Sequence, residues 1–141
     1  MKRYAYAHWE GSLKEGQGRI SVKSGALKNA EYSFGTRFES GIGTNPEELI
    51  GAAHSGCYSM ALSMILGEAG YTPESIDTKA TVNLEEDDDG FAISTVHLDV
   101  TAKVPGADEQ AFMEAANKAK AGCPVSKLLN AKISMDAKLA G

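Results

Sequence analysis

The sequence predicts an α+β fold of element order βββ-α-ββ-α-α-β, built around one long apolar central helix, in a single domain spanning residues 1–141. Three observations carry that prediction. Residues 49–66 run for eighteen positions without a formal charge, between helix start and stop signals. Short strand-like runs punctuated by glycine precede this stretch, and period-two alternation follows it. A second amphipathic helix and a last alternating run close the chain.

The opening strands are expected at residues 3–9, 19–23 and 31–38, separated by the Glu10-Gly-Ser, Glu15-Gly-Gln-Gly and Ser24-Gly turn signals. The central helix is expected over 46–69. Thr44 or Asn45 serves as N-cap, Pro46 suits the first helical position, and Glu47 and Glu48 complement the positive end of the helix dipole. Gly70 stops it, and Gly51 and Gly56 leave room for a break.

After the helix, Ile76, Thr78, Ala80, Val82 and Leu84 alternate with polar residues as in a half-buried strand. Its partner spans 91–104, where the apolar phase shifts between Ile93 and Val96 and predicts a bulge near Ser94 and Thr95. The acidic run 85–90 lacks the alternating ligand spacing of an EF-hand and reads as a solvated hairpin tip. Asp108 caps a helix with Phe112, Ala115, Ala116 and Ala119 on its inner face, ending at Gly122. Cys123-Pro124 then restarts a short helix to about residue 130, and Ile133, Met135, Ala137 and Leu139 mark the last strand.

Composition removes several function classes. A chain of 141 residues is near the low end for an enzyme working alone, which makes a partner chain an expectation. Its formal charge of −5 argues against a nucleic-acid groove. The apolar stretch touches the lower limit of a membrane span. Gly51, His54, Ser55, Gly56, Ser59 and Ser63 dilute it, and no Lys or Arg cluster flanks it. Burial in a domain centre or between subunits explains it better. The first ten residues lack the apolar core of a secretory signal, so a reducing cytoplasm with free thiols is the expectation. Two cysteines without a Cys-x-x-Cys or a nearby His cluster make a poor zinc site, and no Gly-rich nucleotide fingerprint occurs; no metal or cofactor is expected.

Two thiols in unlike settings are what two-electron redox chemistry needs: one attacks and the other closes on the oxidised product. Cys57 falls midway along the apolar helix, where burial raises its pKa and a nearby cation is required to make it a nucleophile. Cys123 precedes proline at a helix start, where orphan N–H groups favour a thiolate. Spacing alone does not say which cysteine attacks. A thiol of pKa about 8.5 is about 3 % thiolate at pH 7, and one near 5.5 is almost wholly thiolate, a gain of roughly thirtyfold.

Arg37, in Thr36-Arg-Phe-Glu39, is the candidate cation, with a surface ion pair as its plainer role. Glu47 lies ten residues before Cys57, about 15 Å along a continuous helix and on a different face, so it cannot touch the thiol but can hold an arginine. Dipole complement is the plainer reading of Glu47 and Glu48 alike. His54, three residues before Cys57, suits either a Cys/His pair or a hydrogen-bonded core or interface histidine.

These residues carry a resemblance to a known family. Ala7-His-Trp-Glu-Gly11, Thr36-Arg-Phe-Glu39, the run from Gly43 to His54, Cys57, Ser59-Met-Ala-Leu62 and Lys118-Ala-Lys-Ala-Gly-Cys-Pro-Val-Ser126 resemble the OsmC/Ohr proteins, specifically the osmotically inducible OsmC branch. The resemblance covers nearly the whole chain, with Ser55-Gly56 a mild departure from the small alanines common there. It implies the OsmC-like fold and an intertwined homodimer whose active sites use both subunits. It also implies a thiol-dependent peroxidase that reduces organic hydroperoxides.

In that pattern the position of Cys57 is peroxidatic and that of Cys123 resolving, closing a Cys57–Cys123 disulfide. Arg37 resembles the arginine beside the thiolate, and Glu47 its carboxylate partner, with Glu48 an alternative. No catalytic role for His54 is carried over. A lipoyl-type dithiol as the resetting reductant is implied by the resemblance as well. The rival readings are a non-catalytic stress or binding protein of this fold, and a general thiol-disulfide oxidoreductase.

Overall fold

Three strands open the chain in the computed structural model, which describes every residue from Met1 to Gly141. The chain forms two compact units, Met1–Leu49 and Ile50–Gly141. In the first, β1 (Ala5–Glu10) pairs antiparallel with β2 (Gln17–Val22), which pairs antiparallel with β3 (Ala30–Tyr32). Trp9, Gly18 and Tyr32 share one row across this sheet. The Tyr32 ring lies where a Gly18 side chain would stand, and its centroid is 5.5 Å from that of Trp9. Glycine is therefore required at the middle of the row.

The third strand is shorter than its sequence suggests. Residues 31–38 are rich in strand-forming side chains, but pairing stops at Tyr32 and α1 (Phe34–Phe38) takes over. The cause is local. Ser33 Oγ accepts the Thr36 N–H while Thr36 Oγ1 accepts the Ser33 N–H, a reciprocal cap that satisfies two orphan donors and outweighs β-propensity. Arg37 thus stands on a helical turn and not at a strand end. The element order gains one helix, βββ-α-α-ββ-α-α-β.

The loop after α1 folds back on the sheet through Gly41 N–H to Gly35 O (3.0 Å) and Thr44 N–H to Glu31 O (2.8 Å). Gly43, at φ +145°, lies against the Glu31 carbonyl with no room for a side chain. Asn45 then does two jobs. Its Oδ1 accepts the Glu48 N–H at 2.7 Å, which makes it the cap of α2 (Pro46–Glu68), and its Nδ2 donates to Thr36 O at 3.2 Å. The Asn45 side chain thus ties the start of the long helix to α1.

Helix α2 continues into the second unit without the break that Gly51 and Gly56 allow. Gly51 sits close to the Ala80 carbonyl of the sheet. His54, Tyr58, Leu62 and Leu66 follow at helical spacing and are fully buried. By length and composition α2 could cross a membrane, with a mean hydropathy of 1.4. These four residues instead face the protein's own interior. The opposite face is apolar and uncovered, with Met60 77 % and Met64 60 % exposed.

That interior is closed by a second sheet of order β4-β5-β6. The hairpin β4 (Ser75–Asp87) and β5 (Gly90–Lys103) turns through the exposed acidic tip, and β6 (Lys132–Leu139) joins β5 in parallel. The predicted bulge is present: Asn83 faces Thr95 and Leu84 faces Ile93, so Ser94 is the extra residue. A parallel neighbour needs a long crossover, supplied here by α3 (Glu109–Gly122) and α4 (Pro124–Leu128). Asp108 caps α3, whose buried face is Phe112, Ala115, Ala116 and Ala119 as expected.

Candidate active site

Cys123 is placed by two helices at once, because it ends α3 and caps α4. Its backbone is extended (φ −64°, ψ 139°), Pro124 occupies the first position of α4, and the Ser126 N–H donates to Sγ at 3.3 Å. The side chain is fully buried. Cys57 approaches it from α2. The two thiols are close enough for Cys123 to bear on the ionisation of Cys57, and so does the Val125 N–H. Both cysteines are free.

Cys57 is half-buried, and its ionisation is held back. Burial pushes its thiol up from the usual range, the Val125 N–H pulls it down, and the hydrogen bond and charge of Cys123 push it up again. The net direction is upward. Within its own unit Cys57 is a protected thiol and needs a cation to become a nucleophile.

In the first unit, a guanidinium is held by a carboxylate. Arg37 donates from Nε (3.1 Å) and Nη2 (2.8 Å) to Glu47, whose side chain is 11 % exposed. Its guanidinium also lies 5.5 Å from the Phe38 ring centroid. Between the two candidate carboxylates the pairing falls to Glu47; Glu48 lies exposed beside the Asn45 cap.

His54 does not pair with Cys57. Its Nε2 lies 2.8 Å from Ser126 Oγ, which in turn lies 3.1 Å from Cys123 Sγ. Burial lowers the imidazole pKa, and Nδ1 is buried without a partner. In the sequence Ser126 is only the last residue of the Lys118–Ser126 motif, with nothing local that marks a role except its place. It stands three residues into a helix capped by Cys123, where its N–H and hydroxyl both turn toward the sulfur.

A second cluster depends on strand register and leaves no local sequence signal. His97 Nδ1 is 2.6 Å from Ser134 Oγ, and Nε2 is 3.0 Å from Asp136 and 3.4 Å from Asp99. The parallel pairing of β5 with β6 brings these residues together across 37 to 39 positions of chain. They lie on the sheet face opposite buried Val96 and Leu98, and both ring nitrogens are already engaged.

Comparison with known proteins follows the same lines. The OsmC-like protein family model matches residues 39–138. Peroxiredoxin OsmC of Escherichia coli (strain K12) is 56 % identical over 133 residues, 94 % of this chain and 93 % of that one. Among solved structures, an OsmC-like protein from Mycoplasma pneumoniae superposes with a TM-score of 0.77 at 15 % identity, covering 100 % of this chain and 99 % of the other. The organic hydroperoxide resistance protein OhrB of Bacillus subtilis superposes with a TM-score of 0.68 at 22 % identity, covering 97 % and 98 %.

Proposed function

This chain belongs to the OsmC-like protein family, and from that premise we propose that it is a thiol-dependent peroxidase that reduces organic hydroperoxides to alcohols. The observation that carries the reading is the contact between two free thiols of unequal access, Cys57 half-buried and Cys123 fully buried. Such a pair can be oxidised on one sulfur and closed by the other without unfolding the core.

The Cys57 thiolate attacks the outer oxygen of the hydroperoxide. The sulfur–oxygen bond forms as the O–O bond breaks, Cys57 is oxidised to the sulfenic acid, and the departing alkoxide takes a proton to become the alcohol. Cys123 then condenses with the sulfenic acid, giving the disulfide and water. An external dithiol, of the lipoyl type, returns both cysteines to thiols. Arg37, aimed by Glu47, supplies the positive charge that the raised Cys57 thiol needs.

The working form is a homodimer in the cytoplasm. The uncovered apolar face of α2 with Met60 and Met64 supports a second copy as its cover, since a monomer would leave this patch in water.

One equivalent of cumene hydroperoxide, followed by intact mass and thiol counting, tests the chemistry. The parent protein loses two thiols and two mass units. Cys57→Ser consumes no peroxide, and Cys123→Ser consumes one equivalent and stops at a sulfenic acid that dimedone captures. Peroxide consumption by Cys57→Ser at the parent rate removes Cys57 as nucleophile. Fast exchange with a small disulfide but no peroxide turnover makes the chain a general thiol-disulfide oxidoreductase.

A further inference from the structure

The cysteine that closes the disulfide has to lose a proton in a place where water does not reach, and the fold provides one route for it. Cys123 is fully buried, Ser126 is 8 % exposed and His54 is fully buried. Their polar atoms form a single file: Cys123 Sγ, 3.1 Å to Ser126 Oγ, 2.8 Å to His54 Nε2. We propose that Ser126 and His54 are the proton line of Cys123, Ser126 as the catalytic residue touching the sulfur and His54 as the positioning residue that receives the proton behind it. The proposal rests on the peroxidase reading above and assigns two residues to its second step.

The direction of the line follows from the inventory of donors. Ser126 has one hydroxyl proton and two lone pairs. With the ring proton of His54 on Nδ1, Nε2 accepts from Ser126 Oγ–H, which leaves the serine oxygen to accept from the Cys123 S–H. The backbone N–H of Ser126 donates to the same sulfur at 3.3 Å and stabilises it as charge develops. Helix α4 fixes this geometry, because Cys123 is its cap and Ser126 stands in its first turn.

The step then balances. As the Cys123 sulfur attacks the sulfenic sulfur of Cys57, its proton passes to Ser126 Oγ and the serine proton passes to His54 Nε2. The S–S bond forms, the Cys57 S–O bond breaks, and the leaving hydroxide takes a proton back from the line to depart as water. Both sulfurs end at the disulfide level, and no outside electron is needed.

The surroundings explain why the resting state stays neutral. His54 Nδ1 has no partner, so no carboxylate holds a permanent imidazolium. The titratable groups that interact with Cys123 at the head of the line include Cys57 and Tyr58, both on the helix that carries His54. Strands β4 to β6 and helix α3 turn apolar side chains such as Ala80, Leu98, Ile133 and Phe112 into this core. An uncharged acceptor in such a place takes a proton only while the reaction supplies one.

The test is a single turnover with one equivalent of cumene hydroperoxide from pH 5.5 to 8.5, with the sulfenic acid trapped by dimedone and the disulfide counted by mass. In the parent, closure is fast and nearly independent of pH above 6.5. In Ser126→Ala, closure slows by about a hundredfold, the low end of general acid–base effects, and gains close to tenfold per pH unit, while dimedone adducts accumulate. His54→Gln, whose amide oxygen keeps the bond to the serine but cannot take its proton, behaves like Ser126→Ala, and Ser126→Thr restores most of the parent rate. Parent-like closure and pH profile in Ser126→Ala and His54→Gln would overturn the proposal. So would a Ser126→Thr protein as slow as Ser126→Ala, since packing and not the hydroxyl would then be at work. A parent protein that forms no sulfenic acid defeats the peroxidase reading itself, and this proposal with it.

Discussion

Both contacts of the Arg37 guanidinium with Glu47 end on one carboxylate oxygen, Oε1, from Nε at 3.1 Å and Nη2 at 2.8 Å. That geometry aims the guanidinium plane through two donors, which an ammonium cannot reproduce. Arg37→Lys is therefore expected to lose most of the activity despite keeping the charge. Arg37→Met is expected to lower the second-order rate with cumene hydroperoxide about thirtyfold at pH 7, the thiolate fraction lost when a thiol returns to its unassisted range. Because burial and Cys123 hold Cys57 up, the Arg37→Met rate should keep climbing through pH 9 and still fall short of the parent there. Stopped-flow rates from pH 6 to 9 check it; an unchanged profile excludes Arg37 from the chemistry.

Two buried groups set the pH limits of stability. His54 has a folded pKa lowered by burial, so the unfolded chain binds its proton first. Its contribution is complete above the unfolded value of about 6.5 and is lost as pH falls through the lower folded one. Tyr58 is the opposite case, its phenol raised by burial and then by Cys123. Its contribution is complete below about pH 10 and is lost as pH rises beyond that. Urea midpoints should fall from pH 7 to 5 in the parent and fall less in His54→Gln, while Tyr58→Phe should flatten the alkaline decline. Parallel curves for parent and variants would refute the assignment.

Glycines on α2 should respond to alanine with opposite signs. A side chain at Gly67 meets nothing within 4 Å, so Gly67→Ala is expected to raise stability by about 0.5–1 kcal/mol through helix propensity alone. At Gly51 the added carbon would stand 3.2 Å from the Ala80 carbonyl, a sheet backbone atom that cannot rotate away. Gly51→Ala should forfeit that gain or reverse it. Urea denaturation of both variants at pH 7 is the check.

Met60 and Met64 lie one helical turn apart on the uncovered face of α2. If a second copy covers them, sedimentation should give twice the 14.9 kDa chain mass for the parent and a single chain mass for Met60→Glu at the same micromolar concentration. A parent that sediments as one chain leaves the patch without this partner.

The sequence by itself determined the fold class, the long helix, the Ser94 bulge and the two cysteine motifs, because each is written in local spacing: caps, charge-free length, a phase shift in alternation. It also named Arg37 and two candidate carboxylates. It missed α1, since strand-forming side chains at 31–38 hid a reciprocal Ser33–Thr36 cap whose effect depends on backbone geometry. Tertiary structure alone chose Glu47 over Glu48, placed the two thiols in contact, and turned His54 from Cys57 to Ser126, 72 residues further on. Helical spacing tells which side a residue occupies but not what the rest of the chain brings to that side. Partners so distant in sequence are decided only when α4 packs back against α2.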